Sequence, residues 1–290
     1  MKKWILILLL TFLCPLKVFS YKYEIAIVSM FKNEAKWLKE WIEYHRLIGV
    51  EKFYLYDNDS TDDFEKVLEP YIKQGIVSYI PWHTGIAPYI DPGSIPKHTG
   101  YQWTAFKDCV NKSKGKVKWL GILDTDEFIN PKNDKSGLKN ILKKYENTDV
   151  ALISFKWRCF GTCQLWDIPK GALLTEQIYK RASDDYRPHK LTKYFVRPEV
   201  AIFPRCHGSS LEKGYTSKNY DKIQINHYQY RGRKEAINKR MRLQIENEDD
   251  MLFLDQSQID TLRNIEFTYH QVEDRSIYPF IKSLKRAMRK

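Results

Sequence analysis

Cysteine is scarce in this chain, five in 290 residues. With the N-terminal segment set aside, Cys109, Cys159, Cys163 and Cys206 remain, too few for a disulfide framework. One disulfide or buried thiols fit better. Cys159, Cys163 and Cys206-His207 lack the C-x-x-C spacing of a zinc knuckle. Long apolar runs are also missing. The strongest, in M-K-K-W-I-L-I-L-L-L-T-F-L-C-P-L-K-V-F-S, covers about eleven residues where a membrane span needs about twenty. No internal repeat and no low-complexity linker is present. The net charge of +12 comes without a zinc-finger, RNA-binding or basic-zipper signature, so no specific nucleic-acid partner is expected.

What is present is an ordinary globular balance, 43% hydrophobic and 29% charged, with aromatics high at 14%. The length suits one large domain with a substantial core. Two lysines ahead of the apolar run, and small residues near Ser20, make residues 1–20 a secretory signal peptide or an uncleaved N-terminal anchor. Either places the protein in the secretory pathway or at a membrane, with cytosol-facing attachment as the alternative.

Periodicity then sets the architecture. Tyr23 to Ser29, Lys52 to Tyr56 and Ile76 to Ile80 read as buried strands. Between them, Lys32 to Ile48 and Phe64 to Lys73 carry apolar residues at helical spacing and end at Gly49 and Gly75. Strand–helix alternation predicts an α/β fold with a mostly parallel, Rossmann-like sheet flanked by helices. Pro81 to Lys97, with four prolines, reads as a loop. Tyr101 to Asn111 reads as a helix and Lys118 to Leu123 as the next strand. The second half is less regular: strands at Ala151 to Trp157, Lys193 to Val196 and Ile223 to Tyr228, then helices at Arg233 to Ile245 and Tyr278 to Arg289. The expected division is 21–250 for the main domain and 251–290 for a basic helical extension ending in S-L-K-R-A-M-R-K.

Ligands of such sheets sit beyond the carboxyl ends of the strands. Those ends carry K-N-E with Glu34, then Y-D-N-D-S-T-D-D with Asp57 and Asp59, then D-T-D-E-F with Asp124, Asp126 and Glu127. Two acids two residues apart at a strand end suit a hard divalent cation. An Asp-rich turn is the plainer alternative. Asn33 and Ser60 or Thr61 are expected helix caps. Glu127 points to the other face of an extended chain and is expected to be structural. His227 in I-N-H-Y-Q-Y-R ends a later strand, where a structural histidine is the commoner outcome. Asn58-Asp-Ser and Asn111-Lys-Ser are glycosylation sequons, and Asn58 is expected to stay unmodified because it adjoins the proposed ligand site.

The ordered set K-N-E, Y-D-N-D-S-T-D, P-W, Q-x-x-A-x-x-D-C, K-W-x-x-x-L-D-T-D-E-F, W-R-x-F-G and N-H-Y resembles glycosyltransferase family 92, within the GT-A class, over roughly residues 23–245. The resemblance implies a GT-A fold, a UDP-sugar donor (UDP-galactose in characterised relatives), a glycan or other hydroxyl acceptor, and inversion. It implies Mn²⁺ or Mg²⁺ held by Asp124 and Asp126 with His227, for which His207 is a rival. It places Asp57, Asp59 and Glu34 beside the nucleoside. A catalytic base is implied in the irregular half, where Glu176 is preferred to Asp167; a surface pair with Lys180 is the plain reading of Glu176. Gly161-Thr162-Cys163 stands where the family often has a Ser-rich turn, so the acceptor loop departs from the pattern. Two readings compete: a non-catalytic nucleotide or glycan binder on the same scaffold, and a basic surface binder of membrane or nucleic acid.

Overall fold

The computed structural model describes residues 20–83, 100–132, 137–241, 252 and 254–289. The first strand β1 (Tyr23–Phe31) leads into helix α1 (Ala35–Leu47), then β2 (Lys52–Asp57), α2 (Phe64–Lys73) and β3 (Val77–Pro81). Helix α3 (Gly100–Ser113) precedes β4 (Val117–Ile122), β5 (Glu127–Asn130), α4 (Gly137–Lys143) and β6 (Val150–Cys159). The irregular stretch contains the short α5 (Leu174–Gln177) and β7 (Lys180–Arg181). It is followed by β8 (Thr192–Val196), β9 (Ala201–Arg205), β10 (Gly208–Leu211), β11 (Thr216–His227) and α6 (Arg233–Met241). Helix α7 (Gln256–Tyr269), β12 (Val272–Glu273) and α8 (Ile281–Met288) complete the described chain.

Eight strands form one sheet in the order β3-β2-β1-β4-β8-β6-β11-β5. The half made of β3, β2, β1 and β4 is wholly parallel. Strand β8 then runs antiparallel to both β4 and β6, and β5 runs antiparallel to β11. The sheet is therefore mixed, which corrects the expected mostly parallel one. Alternating strands and helices signal parallel crossovers. They carry no information about a strand such as β8, which pairs beside β4 and whose Lys193 is 69 residues beyond the Asp124 it meets.

Strand β5 lies at one edge of the sheet, where unpaired backbone groups invite association. Helix α1 covers it with side chains. Trp41 Nε1 donates to the Glu127 carbonyl and Tyr44 Oη to that of Ile129, each at 2.8 Å. The Ile129 N–H donates to His45 Nε2 at 3.3 Å, while His45 Nδ1 meets the Trp41 carbonyl at 2.8 Å. Only a neutral ring can accept at Nε2, and burial holds the His45 pKa down at about 3.

The main core lies between the sheet and α1, α2, α4 and α8, with Ile281 and Leu284 of α8 among its buried residues. Helix α8 thus packs against the main core, while Leu262, Ile265 and Tyr269 of α7 lie in a further buried cluster with Ala236 and Ile237 of α6. Cys109, Cys159, Cys163 and Cys206 are free thiols. Among the described residues no helix is long and apolar enough to cross a membrane, which corrects the expectation of a membrane-associated location. The N-terminal run on which that expectation rested, and most of the loop expected at 81–97, lie outside the described residues.

Candidate active site

The loops after β1 and β2 hold each other. Asn33 adopts a left-handed φ of 56°, and its Oδ1 accepts from Thr61 N at 2.7 Å. Asn33 N donates to Ser60 Oγ at 2.9 Å, and Ala35 N donates to Asp62 Oδ2 at 2.7 Å. The expected caps are therefore exchanged. Asp62 caps the start of α1 from the neighbouring loop, while Ser60 and Asn33 bind across the gap instead of capping their own helices. Sequence spacing cannot reveal this, because each loop satisfies the other's donors. Asp57, nearly buried, accepts from Ser60 N at 3.0 Å and from Tyr79 Oη at 3.2 Å. Asp59, at a left-handed φ of 58°, meets His83 Nδ1 at 2.7 Å.

The D-T-D-E-F segment turns directly after β4. Glu127 is fully buried beneath the turn, and its Oε2 accepts from Asp124 N at 2.8 Å. Asp124 receives Gln102 Nε2 at 2.8 Å on one oxygen and Lys193 Nζ at 2.7 Å on the other. Lys193 comes from β8, has no exposed surface, and also lies 3.4 Å from Glu127 Oε2. Burial opposes its charge, but the two carboxylates hold its pKa above the ordinary lysine value. For Glu127, burial outweighs Lys193 and pushes the pKa up to about 7.

Asp126 faces the far half of the sheet. Its Oδ2 lies 3.5 Å from His227 Nε2 at the end of β11 and 3.4 Å from Lys239 Nζ on α6. Burial works against the Asp126 charge, yet His227, Lys239 and Arg231 hold its carboxyl far below the usual range. His227 moves the other way. Burial would lower its pKa, but Asp126 raises it to about 10. Glu34 pairs with both terminal nitrogens of Arg231, at 2.6 and 2.9 Å, and Arg231 also reaches Glu235 at 3.2 Å.

Together Glu34, Asp124, Asp126, His227, Arg231 and Lys239 line one cleft of about 350 Å³ at the carboxyl ends of β1 and β4. Asp57 stands beside it, in register with Phe31 of the cleft wall. Two expected residues lie elsewhere. Asp167 forms an ion pair with Lys36 at 2.5 Å, and its Cα would lie 3.2 Å from a Cβ on Gly232, next to Arg231. Glu176, on α5, is held by Lys285 of α8 at 2.6 Å, not by the Lys180 expected from helical spacing, and does not line the cleft. His207 hydrogen-bonds the Thr192 carbonyl at 3.0 Å and also stands outside the lining.

Lys193 is a site residue that no motif marked, Gln102 opens Q-x-x-A-x-x-D-C, a pattern that says nothing of its partner Asp124, and Arg231 and Lys239 line the cleft beside them. Lys193 left one trace, a lysine directly before the apolar run of its strand, T-K-Y-F-V. Among the described residues no group of three His, Cys, Asp or Glu side chains converges as a metal cage. Asp126 and His227 do converge, and a hard cation on a phosphate substrate takes one or two carboxylates and fills the remainder with phosphate oxygens and water. The donor chemistry therefore fits a divalent cation at that pair, while both oxygens of Asp124 are engaged by Lys193 and Gln102.

Comparison with known proteins supplies the family. A glycosyltransferase family 92 protein of Ricinus communis is 28% identical over 72% of this chain and 36% of its own length. The galactan beta-1,4-galactosyltransferase GALS3 of Arabidopsis thaliana is 26% identical over 73% of this chain and 42% of its own length. The chain thus spans well under two thirds of these relatives. Among solved structures, S. aureus TarS aligns over 86% of this chain and 44% of its own, at 12% identity and a TM-score of 0.42. The model of glycosyltransferase family 92 matches residues 21–274, so the chain belongs to that family.

Proposed function

We propose that the chain is a GT-A-type glycosyltransferase that moves a hexose, galactose, from a UDP-sugar to a hydroxyl group of a glycan, with inversion. The observation that carries this reading is the cleft itself. It gathers Asp124, Asp126 and His227 with Arg231 and Lys239 where the strand ends open. Mixed charge of this kind suits a diphosphate and its counter-ion better than it suits a neutral ligand. The galactosyl donor follows from the name of the Arabidopsis relative.

Asp126 and His227 are the residues that would hold Mn²⁺ or Mg²⁺, which when bound neutralises charge on a departing diphosphate. Asp124, fixed by Lys193 and Gln102, would reach the same ion through water. Asp57, with Asp59 beside it, would accept hydrogen bonds from the nucleoside, and Glu34 would keep Arg231 aimed along the cleft wall. An inverting transfer needs a carboxylate that takes the acceptor's proton. Asp167 is the nearer to the cleft of the two considered, and Glu176 is the second.

The test is release of UDP from a panel of UDP-sugars, with and without Mn²⁺, by the full chain and by Asp126→Asn. The wild type is expected to release UDP in a metal-dependent manner. The variant should lose about a hundred-fold or more, as when a charge-stabilising group is removed from a reaction centre. Wild-type protein that binds UDP but never releases it from a UDP-sugar would favour the non-catalytic binder instead.

A further inference from the structure

Besides His227, two lysines and an arginine pair with the acids of the cleft, and they are held very differently. Lys193 has no exposed surface and lies 2.7 Å from Asp124. Arg231, 3% exposed, is committed to Glu34 and Glu235. Lys239 is different. Its side chain is 46% exposed, it stands 3.4 Å from Asp126 Oδ2, and it also meets the Gln229 carbonyl at 3.2 Å. The oxygen it faces is already answered by His227 at 3.5 Å. A single carboxylate therefore carries two cationic neighbours, one buried and one on a flexible four-carbon stem.

Resting on the donor reading above, we propose that Lys239 is an exchangeable counter-ion: it neutralises Asp126 before the donor binds, and moves to the donor's diphosphate when a divalent cation takes its place on Asp126. Charge accounts for the direction. A dication beside Asp126 repels the ammonium, while the diphosphate that arrives with it offers new anionic oxygens within the same cleft. The α6 backbone need not move, because Lys239 already lines the cleft wall and has three donors to redirect. Lys193, locked below, keeps Asp124 in place through the exchange.

The exchange makes two affinities move in opposite directions, and neither requires turnover. Mn²⁺ alone is titrated into the full chain and into Lys239→Gln, with free Mn²⁺ followed by its electron paramagnetic resonance signal. UDP is then titrated calorimetrically into each protein at saturating Mn²⁺, and thermal melts check that the variant is folded. Lys239→Gln is expected to take Mn²⁺ about three-fold more tightly, because an exposed competing ion pair has gone. It should bind UDP about ten-fold more weakly, because a charged hydrogen bond has gone. A change in one affinity without the opposite change in the other, or no change in either, overturns the exchange. Wild-type protein that takes up neither Mn²⁺ nor UDP removes the donor reading itself, and the exchange with it.

Discussion

The two halves of the sheet contribute opposite partners to the ion pairs across the cleft, although Lys32 after β1 also lines it. The parallel half, β3-β2-β1-β4, supplies the acids: Glu34 after β1, Asp57 after β2, Asp124 and Asp126 after β4. The mixed half supplies the bases: Lys193 from β8, His227 from β11, then Arg231 and Lys239 in the segment beyond. Three close pairs span the two, Glu34–Arg231, Asp124–Lys193 and Asp126–His227. The seam between β4 and β8 is therefore electrostatic as well as hydrogen-bonded. Neither half could fold with its charges buried in isolation, since an unpaired buried charge is strongly unfavourable.

Removing the buried cation at that seam should have the largest effect. Lys193→Met leaves Asp124 and Glu127 facing each other with no ammonium between them. Breaking a buried pair from one side costs about 3–5 kcal/mol, and urea unfolding near neutral pH should show a loss of that size. Adding Glu127→Gln should return part of it, because Glu127 is the carboxylate with no exposed surface. A loss under about 1 kcal/mol, the range of surface pairs, would mean that the seam holds without its charges.

The same division explains what could be read from sequence. Acids at strand ends follow a local rule: an apolar run of strand length stops, and polar residues begin. The seven elements from β1 to β4 alternate within that rule, and their limits were readable to within a few residues. His227, at the end of β11, follows the same rule, but Lys193 does not. Lys193 is buried only because β8 inserts between β4 and β6, and pairings across the chain leave no local periodicity. Strands β9 and β10 and helix α7 escaped notice for a related reason. The two strands pair with each other outside the main sheet, and α7 packs on α6, so none of the three belongs to the strand–helix alternation. Glu34 shows both sides. Its motif was legible, but its Arg231 partner lies 197 residues away.

Two buried histidines sharpen the comparison through pH. His45, on α1, hydrogen-bonds backbone groups and packs among aromatic rings, and burial lowers its pKa from 6.5 to about 3. It must stay neutral, so its contribution is present above pH 6.5 and is lost progressively as pH falls towards 3. His227, at the end of β11, meets Asp126, which raises its pKa to about 10 against the pull of burial. Its contribution is fully present below pH 6.5 and is lost as pH rises through about 10. Stability measured by urea unfolding from pH 4 to 10.5 should therefore fall on both sides. His45→Phe should make the acid limb shallower, the remainder coming in part from buried His189, whose pKa burial lowers to about 4, and His227→Asn should flatten the alkaline limb. If either substitution flattened both limbs, the two histidines would not be reporting separate regions.

The smallest effect is expected where an acid of the irregular stretch meets the C-terminal helix. Glu176 and Lys285 form a half-exposed pair at 2.6 Å, on the side of α5 that faces α8 and away from the cleft lining. A pair of this kind contributes about 0–1 kcal/mol, so Glu176→Gln should barely move the unfolding midpoint. Asp167→Asn breaks a comparable exposed pair with Lys36 and should be equally mild in stability. Transfer to an acceptor separates them. Asp167 sits against Gly232 beside the cleft, so its carboxylate is the one expected to matter, and Asp167→Asn should depress transfer while leaving UDP affinity near wild type. Glu176→Gln should leave both almost unchanged. The reverse result would put the acceptor on the α8 side, and would require α5 and Lys285 to part before the acceptor hydroxyl reached a base.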